Sequence, residues 1–178
     1  MRFFLRSRRV PDLRTERLRL VAMTPEMVTA DLEDDPALGT LLRATLPEAW
    51  PPEDFEPHVI EMIHRQAIES PQERGFHRYV VWERTEGAVL VGCIGAFPKP
   101  GCVVELGYST LPEFQRRGFA TEAVRCLVDY LLRQDGVAII RAQAFTHAEE
   151  SFKVMQRAGL RPAGQGDDPG TLQYVRER

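Results

Sequence analysis

The residues best suited to chemistry lie in a short loop, residues 115–121, directly before an amphipathic helical pattern. The first N–H groups of a helix have no acceptor within the helix, and the helix dipole favours an anion at that end. Gly118 allows the backbone to approach a ligand closely, and Ala120 keeps that approach open. Arg116 and Arg117 add positive charge beside it. The loop therefore predicts a diphosphate site, and an ordinary helix start with basic neighbours is the alternative.

Other ligand motifs are absent from the sequence. Neither the phosphate loop Gly-x-x-x-x-Gly-Lys-Ser/Thr nor the dinucleotide fingerprint Gly-x-Gly-x-x-Gly occurs. The three cysteines, Cys93, Cys102 and Cys126, lack paired spacing, and the four histidines are scattered. A zinc site needs a tighter cluster of ligands. We therefore expect free thiols and no metal.

The composition is that of a globular protein, with 178 residues, 43% of them hydrophobic, and a net charge of −3. This length predicts a single domain, and the small net charge does not support a dedicated nucleic-acid-binding protein. No apolar run reaches the roughly 18 residues of a membrane span. The basic start also lacks the apolar stretch of a secretory signal. We expect a cytoplasmic protein with no membrane partner.

The charge is divided along the chain. Residues 1–20 contain seven arginines against two acids, whereas residues 31–73 contain eleven acids against two arginines. We interpret residues 1–12 as a basic N-terminal extension and residues 13–178 as one domain. Because a surface of one sign concentrates ligands of the opposite sign, the acidic segment is a candidate to attract a cationic substrate. Two solvated faces are the alternative.

The hydrophobic pattern predicts the elements that must position the loop. Strands are predicted at residues 17–22, 78–84, 88–97, 102–109, 137–145 and 172–176. Helices are predicted at residues 25–33, 36–46, 58–69, 119–133 and 148–158. Thr24 is the expected N-cap of the first helix, and residues 163–170 are expected to be a loop. This order predicts an α/β protein with one central mixed sheet.

The loop and its surroundings resemble the GNAT N-acetyltransferase superfamily. Gln115, Gly118 and Ala120 match its signature Gln/Arg-x-x-Gly-x-Gly/Ala. Further segments resemble the branch that includes the ribosomal-protein alanine acetyltransferases, at residues 13–20, 105–108, 111–114 and 151–160. The resemblance extends over nearly the whole chain.

The resemblance implies a fold and a co-substrate. The fold is a central twisted mixed sheet, splayed at the cofactor site and covered by helices on both faces. The co-substrate is acetyl-CoA, and no metal is implied. Its pyrophosphate is expected at Gln115, Arg116, Arg117, Gly118, Phe119, Ala120 and Thr121. Its pantetheine arm is expected to pair like an added strand with Ser109, Thr110 and Leu111.

The implied reaction is acetyl transfer to a primary amine by direct attack in a ternary complex. The amine must lose its proton before attack, and the thiolate leaving group needs one. Glu105 resembles a glutamate of related enzymes and is the candidate base, with an orienting charge as the alternative. Ser151 resembles the serine that approaches the CoA sulfur, with helix capping or packing as the alternative.

Two positions depart from the family pattern. Ala148 stands where the family often has an asparagine that contacts pantetheine, and Met155 stands where many members have a tyrosine acid. A non-catalytic CoA-binding sensor or regulatory module is therefore the second hypothesis. A third, contact with nucleic acid or the ribosome through the Arg-rich start, is compatible with catalysis.

The acceptor is expected to be a cationic amine, such as a protein N-terminus, a polyamine or an aminoglycoside. In this fold the first helices cover the acceptor groove. The candidates to recruit the amine are Asp34, Asp35, Glu48, Asp54 and Glu56. Trp50 either forms a wall of the groove or packs in the core. The oligomeric state is left open between monomer and homodimer.

Overall fold

Groups of strands and groups of helices follow one another along the chain, and the computed structural model describes residues 10–53, 55, 57–70, 73 and 75–178. The strands are β1 (Leu13–Arg14), β2 (Leu18–Ala22), β3 (Arg78–Trp82), β4 (Val89–Lys99), β5 (Val103–Thr110), β6 (Ile139–Phe145), β7 (Arg161–Gln165) and β8 (Thr171–Glu177). The helices are α1 (Pro25–Leu32), α2 (Ala37–Leu42), α3 (Pro57–Glu69), α4 (Phe119–Leu131) and α5 (Glu149–Arg157). Most of the predicted basic extension lies outside the described residues, as do Asp54 and Glu56.

All eight strands form one sheet, in the order β1-β2-β3-β4-β5-β6-β8-β7. β5 and β6 are parallel, whereas the other neighbouring strands are antiparallel. The parallel pairing ends at Leu106 opposite Ala142. Beyond this point β5 pairs only with β4, and β6 pairs only with β8. The predicted mixed sheet with a splay is therefore confirmed.

Helices cover both faces of the sheet, also as expected. On one face α4 and α5 pack against the sheet through a core that includes Val124, Leu127 and Ile140. On the other face α1, α2 and α3 enclose a second core that includes Val28 and Leu42. The two cores hold the end of β5 between the α4–α5 layer and the α3 layer.

The predicted helix boundaries agree with the structure where local chemistry defines them. The Thr24 hydroxyl accepts a hydrogen bond from the Met27 N–H at 3.3 Å, which caps α1 as predicted. Gly159 follows α5 with φ of +89°, the left-handed conformation that often ends a helix. Among the described residues, no helix has the length and apolar character that crossing a membrane requires.

Two strands were not predicted, and one of them corrects an expectation. The loop predicted at 163–170 begins within β7, which pairs irregularly with β8 at the edge of the sheet. Every residue of β7 is exposed, and it contains Pro162 and Gly164. An edge strand of this composition has no apolar alternation, so the pattern could not reveal it. The two residues of β1 are too few to form a pattern.

Candidate active site

The loop before α4 is wound so that its amide groups converge. Gly118 is the N-cap of α4 with φ of +81°, and Arg116 also has a left-handed φ of +58°. The first hydrogen bond of the helix runs from the Glu122 N–H to the Gly118 carbonyl at 3.0 Å. The N–H groups of residues 119–121 therefore precede the helical ladder and face outward at the positive end of the dipole. This arrangement can bind a phosphate.

A cleft of about 440 Å³ opens at this loop, between the end of β5 and α5. Most of the residues predicted to bind the cofactor line this cleft: Ser109, Thr110, Gln115, Arg116, Gly118, Phe119, Ala120 and Thr121. Ser151, one of the two predicted catalytic residues, lines it as well. Residues separated by about forty positions in the sequence are thus brought to one cavity.

Two of the predicted cofactor residues are placed differently. Leu111 is fully buried, and its N–H donates to the Val91 carbonyl at 3.0 Å, so this backbone group is already bonded. The Arg117 guanidinium lies over the rings of Trp82 and Phe114, at 5.6 and 5.7 Å from their centroids. Neither side chain belongs to the described lining of the cleft.

Arg17, in the turn between β1 and β2, holds the loop from outside the cleft. Its guanidinium donates to the Arg117 carbonyl at 3.0 Å and forms an ion pair with Glu122 at 2.7 Å. It also lies 4.7 Å from the centroid of the Phe119 ring. Burial alone raises the pKa of Glu122, but hydrogen bonds from Thr15 and Arg17 outweigh burial and hold the pKa below its ordinary value. Arg17 thus offsets a negative charge in the first turn of α4.

Cationic side chains line the described part of the cleft at Arg116, Lys153 and Arg157, together with the acids Glu53 and Glu150. Lys153 forms an ion pair with Glu150 at 2.7 Å. The remaining positive charge suits a polyanion. Lys153 and Arg157 were not predicted from the sequence, although their four-residue spacing on a helix is a signal that could have identified them.

A second cavity, of about 280 Å³, lies on the α3 side of β4 and β5. Tyr108 and Ser109 line both this cavity and the cleft. The Tyr108 hydroxyl donates to the Ser151 carbonyl at 3.2 Å. Burial raises the pKa of Tyr108 to about 12, so its phenol is protonated at neutral pH. The two cavities therefore meet at the end of β5, just beyond the point where β5 and β6 part.

The comparisons with known proteins agree with this geometry. The family model described as "Acetyltransferase (GNAT) domain" matches residues 17–161. The chain belongs to the GNAT acetyltransferase family. It is thus an acetyl-CoA-dependent N-acetyltransferase.

Two curated relatives come from Bacillus subtilis (strain 168). The uncharacterized N-acetyltransferase YoaA is 32% identical over 108 residues, which are 60% of this chain and 60% of that protein. This match therefore spans less than two thirds of YoaA. The uncharacterized N-acetyltransferase YjdG is 26% identical over 151 residues, which are 83% of this chain and 88% of that protein.

Solved structures share the fold. RimL, a ribosomal L7/L12 alpha-N-protein acetyltransferase in complex with coenzyme A, has a TM-score of 0.61 at 16% identity and covers 94% of this chain and 98% of its own. The microcin C7 self-immunity acetyltransferase MccE, in complex with acetyl-CoA and AMP, has a TM-score of 0.61 at 12% identity. The match covers 92% of this chain and 94% of the MccE chain. At these identities the likeness shows the fold alone.

In this acetyltransferase Glu105 lies on β5 within a network of ion pairs. It pairs with Arg141, which also pairs with Asp167 at 2.6 Å, and Lys99 lies 3.6 Å from its other oxygen. Gln143 donates to the same carboxylate at 3.4 Å. Glu105 does not belong to the described lining of either cavity. These contacts favour an orienting charge over a free base.

Two aspartates of the acidic segment, Asp31 and Asp35, have structural contacts. Asp31 accepts hydrogen bonds from Trp50 Nε1 at 2.7 Å and from the Tyr79 hydroxyl at 2.8 Å, and burial raises the pKa of Asp31. Trp50 thus packs in the core, as one alternative predicted. An Asp35 carboxylate oxygen accepts from the Ala37 N–H at 2.8 Å at the start of α2.

The two departures from the family pattern also have defined places. Ala148 is the N-cap of α5 and provides no side-chain hydrogen bond. Met155 is 2% exposed in the core between α5 and the sheet. Within the described residues, no three His, Cys, Asp or Glu side chains are grouped to hold a metal ion.

Proposed function

We propose that the acetyltransferase binds acetyl-CoA in the cleft at residues 115–121. The pyrophosphate accepts hydrogen bonds from the N–H groups of residues 119–121, and Arg116, Lys153 and Arg157 offset its charge. The pantetheine arm extends along Ser109 and Thr110, beyond the point at which the pairing of β5 with β6 ends. Residues 13–178 form the single catalytic domain in this proposal.

The acceptor amine, in the same proposal, enters from the α3 side. The observation that carries it is the shared wall of Tyr108 and Ser109, which lines both the cofactor cleft and the second cavity. A thioester at this wall is within reach of a nucleophile in either cavity. We propose direct attack of the amine on the thioester, which requires both substrates to be bound together.

Ser151 is the proposed hydrogen-bond donor to the leaving thiolate, which then takes its proton from water. It lines the cleft in the first turn of α5, and its carbonyl is held by Tyr108. Glu105 is the proposed orienting charge, because its carboxylate is engaged by Arg141 and Lys99. The amine then loses its proton to water. The reaction rate should therefore follow the ionisation of the amine rather than that of a carboxylate.

Calorimetry of acetyl-CoA with the Ala120→Glu variant tests the cofactor site. A glutamate in the first turn of α4 is favourable for the helix but places negative charge where the pyrophosphate lies. We expect an unchanged or raised Tm and affinity for acetyl-CoA weakened at least a hundredfold. Gln165→Glu adds the same charge on exposed β7 and serves as the control. Unchanged affinity in Ala120→Glu refutes the assignment of the loop.

A further inference from the structure

The second cavity is large enough for one small chemical group of a ligand. It is enclosed by α3 on one side and by the paired strands β4 and β5 on the other, and has a volume of about 280 Å³. At roughly 30 Å³ per liquid water molecule, this space corresponds to about nine waters. It can therefore hold a short side chain or a small ring, but not an extended ligand.

Two glycines make the floor of this cavity. Gly95 on β4 lies opposite Gly107 on β5, and two positions further along the strands Cys93 lies opposite Ser109. Alternation along the strands puts these pairs on the same face of the sheet. A Cβ atom on Gly107 would meet no other atom within 4 Å, so the space above it is open. A Cβ atom on Gly95 would instead stand 2.2 Å from His77 Nδ1, so the His77 ring covers Gly95 and the free space for a ligand lies above Gly107.

The described lining of the cavity is mostly apolar and contains no Asp, Glu, Lys or Arg, and its polar members are His77, Tyr108 and Ser109. The apolar part is formed mainly by Met23, Phe55, Val59, Ile63, Ile94 and Phe97. Such a lining binds apolar groups and rejects an unpaired charge, since desolvating a charge without a partner is costly.

His77, the one described histidine of the lining, is held neutral. Burial lowers the pKa of His77 to about 3. The Gln66 amide nitrogen donates to Glu73 at 2.8 Å, so the Gln66 oxygen faces His77 and accepts from its Nε2–H at 2.9 Å. This leaves His77 Nδ1 unprotonated, without a described hydrogen-bond partner, and close to Gly95. The histidine therefore supplies no positive or negative charge to a ligand.

We propose that the acceptor carries an uncharged, apolar group of about four to six carbons beside its amine, and that this group fills the cavity over Gly107. The inference rests on the proposed function, because the cavity becomes an acceptor site only beside bound acetyl-CoA. The positive charge expected of the acceptor is then that of the reacting amine itself.

A series of primary n-alkylamines, from propylamine to hexylamine, tests this proposal with acetyl-CoA and detection of free CoA thiol. Each methylene buried should raise kcat/KM about fourfold until the cavity is full. Hexylamine should exceed 1,6-diaminohexane, which has the same length and a second charge, at least tenfold. A diamine that matches or exceeds hexylamine overturns the proposal.

The Gly107→Val variant tests the location. Valine fits the extended strand and the open space, so we expect the gain along the amine series to disappear while acetyl-CoA affinity stays unchanged in calorimetry. Ala163→Val, on exposed β7, is the matched control and should retain the gain. A Gly107→Val enzyme that keeps the full gain contradicts this location.

A readout without turnover separates this inference from the proposed function. 1-Hexanol lacks the amine but retains the chain, and it should shift the amide NMR signals of Gly95 and Gly107. Failure of acetyl-CoA to bind refutes the proposed function. The shifts caused by 1-hexanol still show whether the cavity binds an apolar chain. Absence of those shifts, with acetyl-CoA bound, refutes the apolar acceptor group.

Discussion

Gly92 of β4 determines how closely two strands approach at the cofactor cleft. It lies opposite Thr110, at the end of β5 that lines the cleft. A Cβ atom on Gly92 would stand 2.2 Å from the Ser109 carbonyl oxygen and 3.1 Å from the Thr110 Cα. Both are backbone atoms of a paired strand, so neither can rotate away. We therefore predict that Gly92→Ala displaces the strand end that the pantetheine arm is proposed to follow.

The size of the effect follows from this overlap. The Ser109 oxygen must retreat by about 1.2 Å to reach the 3.4 Å of an ordinary contact. Overpacking of this kind costs about 1–3 kcal/mol of unfolding free energy. In a protein of this length each kcal/mol lowers Tm by roughly 2–4 °C. A displacement of about 1 Å at a substrate-positioning segment reduces kcat/KM by about a hundredfold.

Thermal unfolding, acetyl-CoA calorimetry and kcat/KM with a fixed amine measure these effects. Gly107→Ala is the matched control, because it adds the same methyl group on the neighbouring strand where nothing lies within 4 Å. The control should melt and bind acetyl-CoA like the wild type. A Gly92→Ala protein with wild-type Tm and wild-type affinity refutes the reasoning from backbone overlap.

Three further predictions concern the loop and the chemistry. Glu122→Gln should lower the free energy of unfolding at pH 7. Because the pKa of Glu122 is depressed in the folded state, this loss of stability should vanish as the pH falls below the ordinary glutamate pKa of 4.5. A loss of stability that persists at acid pH contradicts this. Ser151→Ala should reduce kcat about a hundredfold at unchanged acetyl-CoA affinity in calorimetry, and an unchanged kcat shows that Ser151 does not stabilise the leaving thiolate. Glu105→Gln should lower kcat/KM but leave the midpoint of the pH profile of kcat/KM unchanged. Exchanging an α-amine acceptor for an ε-amine should move that midpoint upward by roughly 2.5 pH units. A midpoint that moves in the Glu105→Gln variant restores Glu105 as the base.

The sequence predicts the cofactor loop because the relevant signals are local. Gly118 precedes a strongly amphipathic helix and so marks the position where N–H groups have no acceptor within the helix. The helix alone positions the N–H groups of residues 119–121. A splay of parallel strands at the cofactor site also follows from the resemblance to a known fold, whereas the end of the pairing at Leu106 is seen only in the structure. Most strands and helices are predicted for the same reason, since their apolar periodicity is regular.

Contacts across long sequence distances could not be predicted in this way. The Arg17 backbone N–H bonds a carboxylate 105 positions away, at 3.1 Å, and no periodicity connects the two residues. The ion pair of Glu105 with Arg141 depends on the register of two parallel strands. The apolar cavity above Gly107 depends on residues from distant segments, such as Met23, Val59 and Phe97, being brought to one side of β5. Each contact arises from tertiary register, which a local pattern does not contain.

The central claim is that backbone amides at the start of α4 hold the pyrophosphate of acetyl-CoA. An NMR titration of the labelled protein with acetyl-CoA tests it most directly, because each amide reports its own hydrogen bond. We predict that the largest shifts occur at Gly118, Phe119, Ala120 and Thr121, while Gly164 and Gly170 of the β7–β8 hairpin stay in place. Saturation with acetyl-CoA that leaves the amides of residues 118–121 unshifted contradicts the claim.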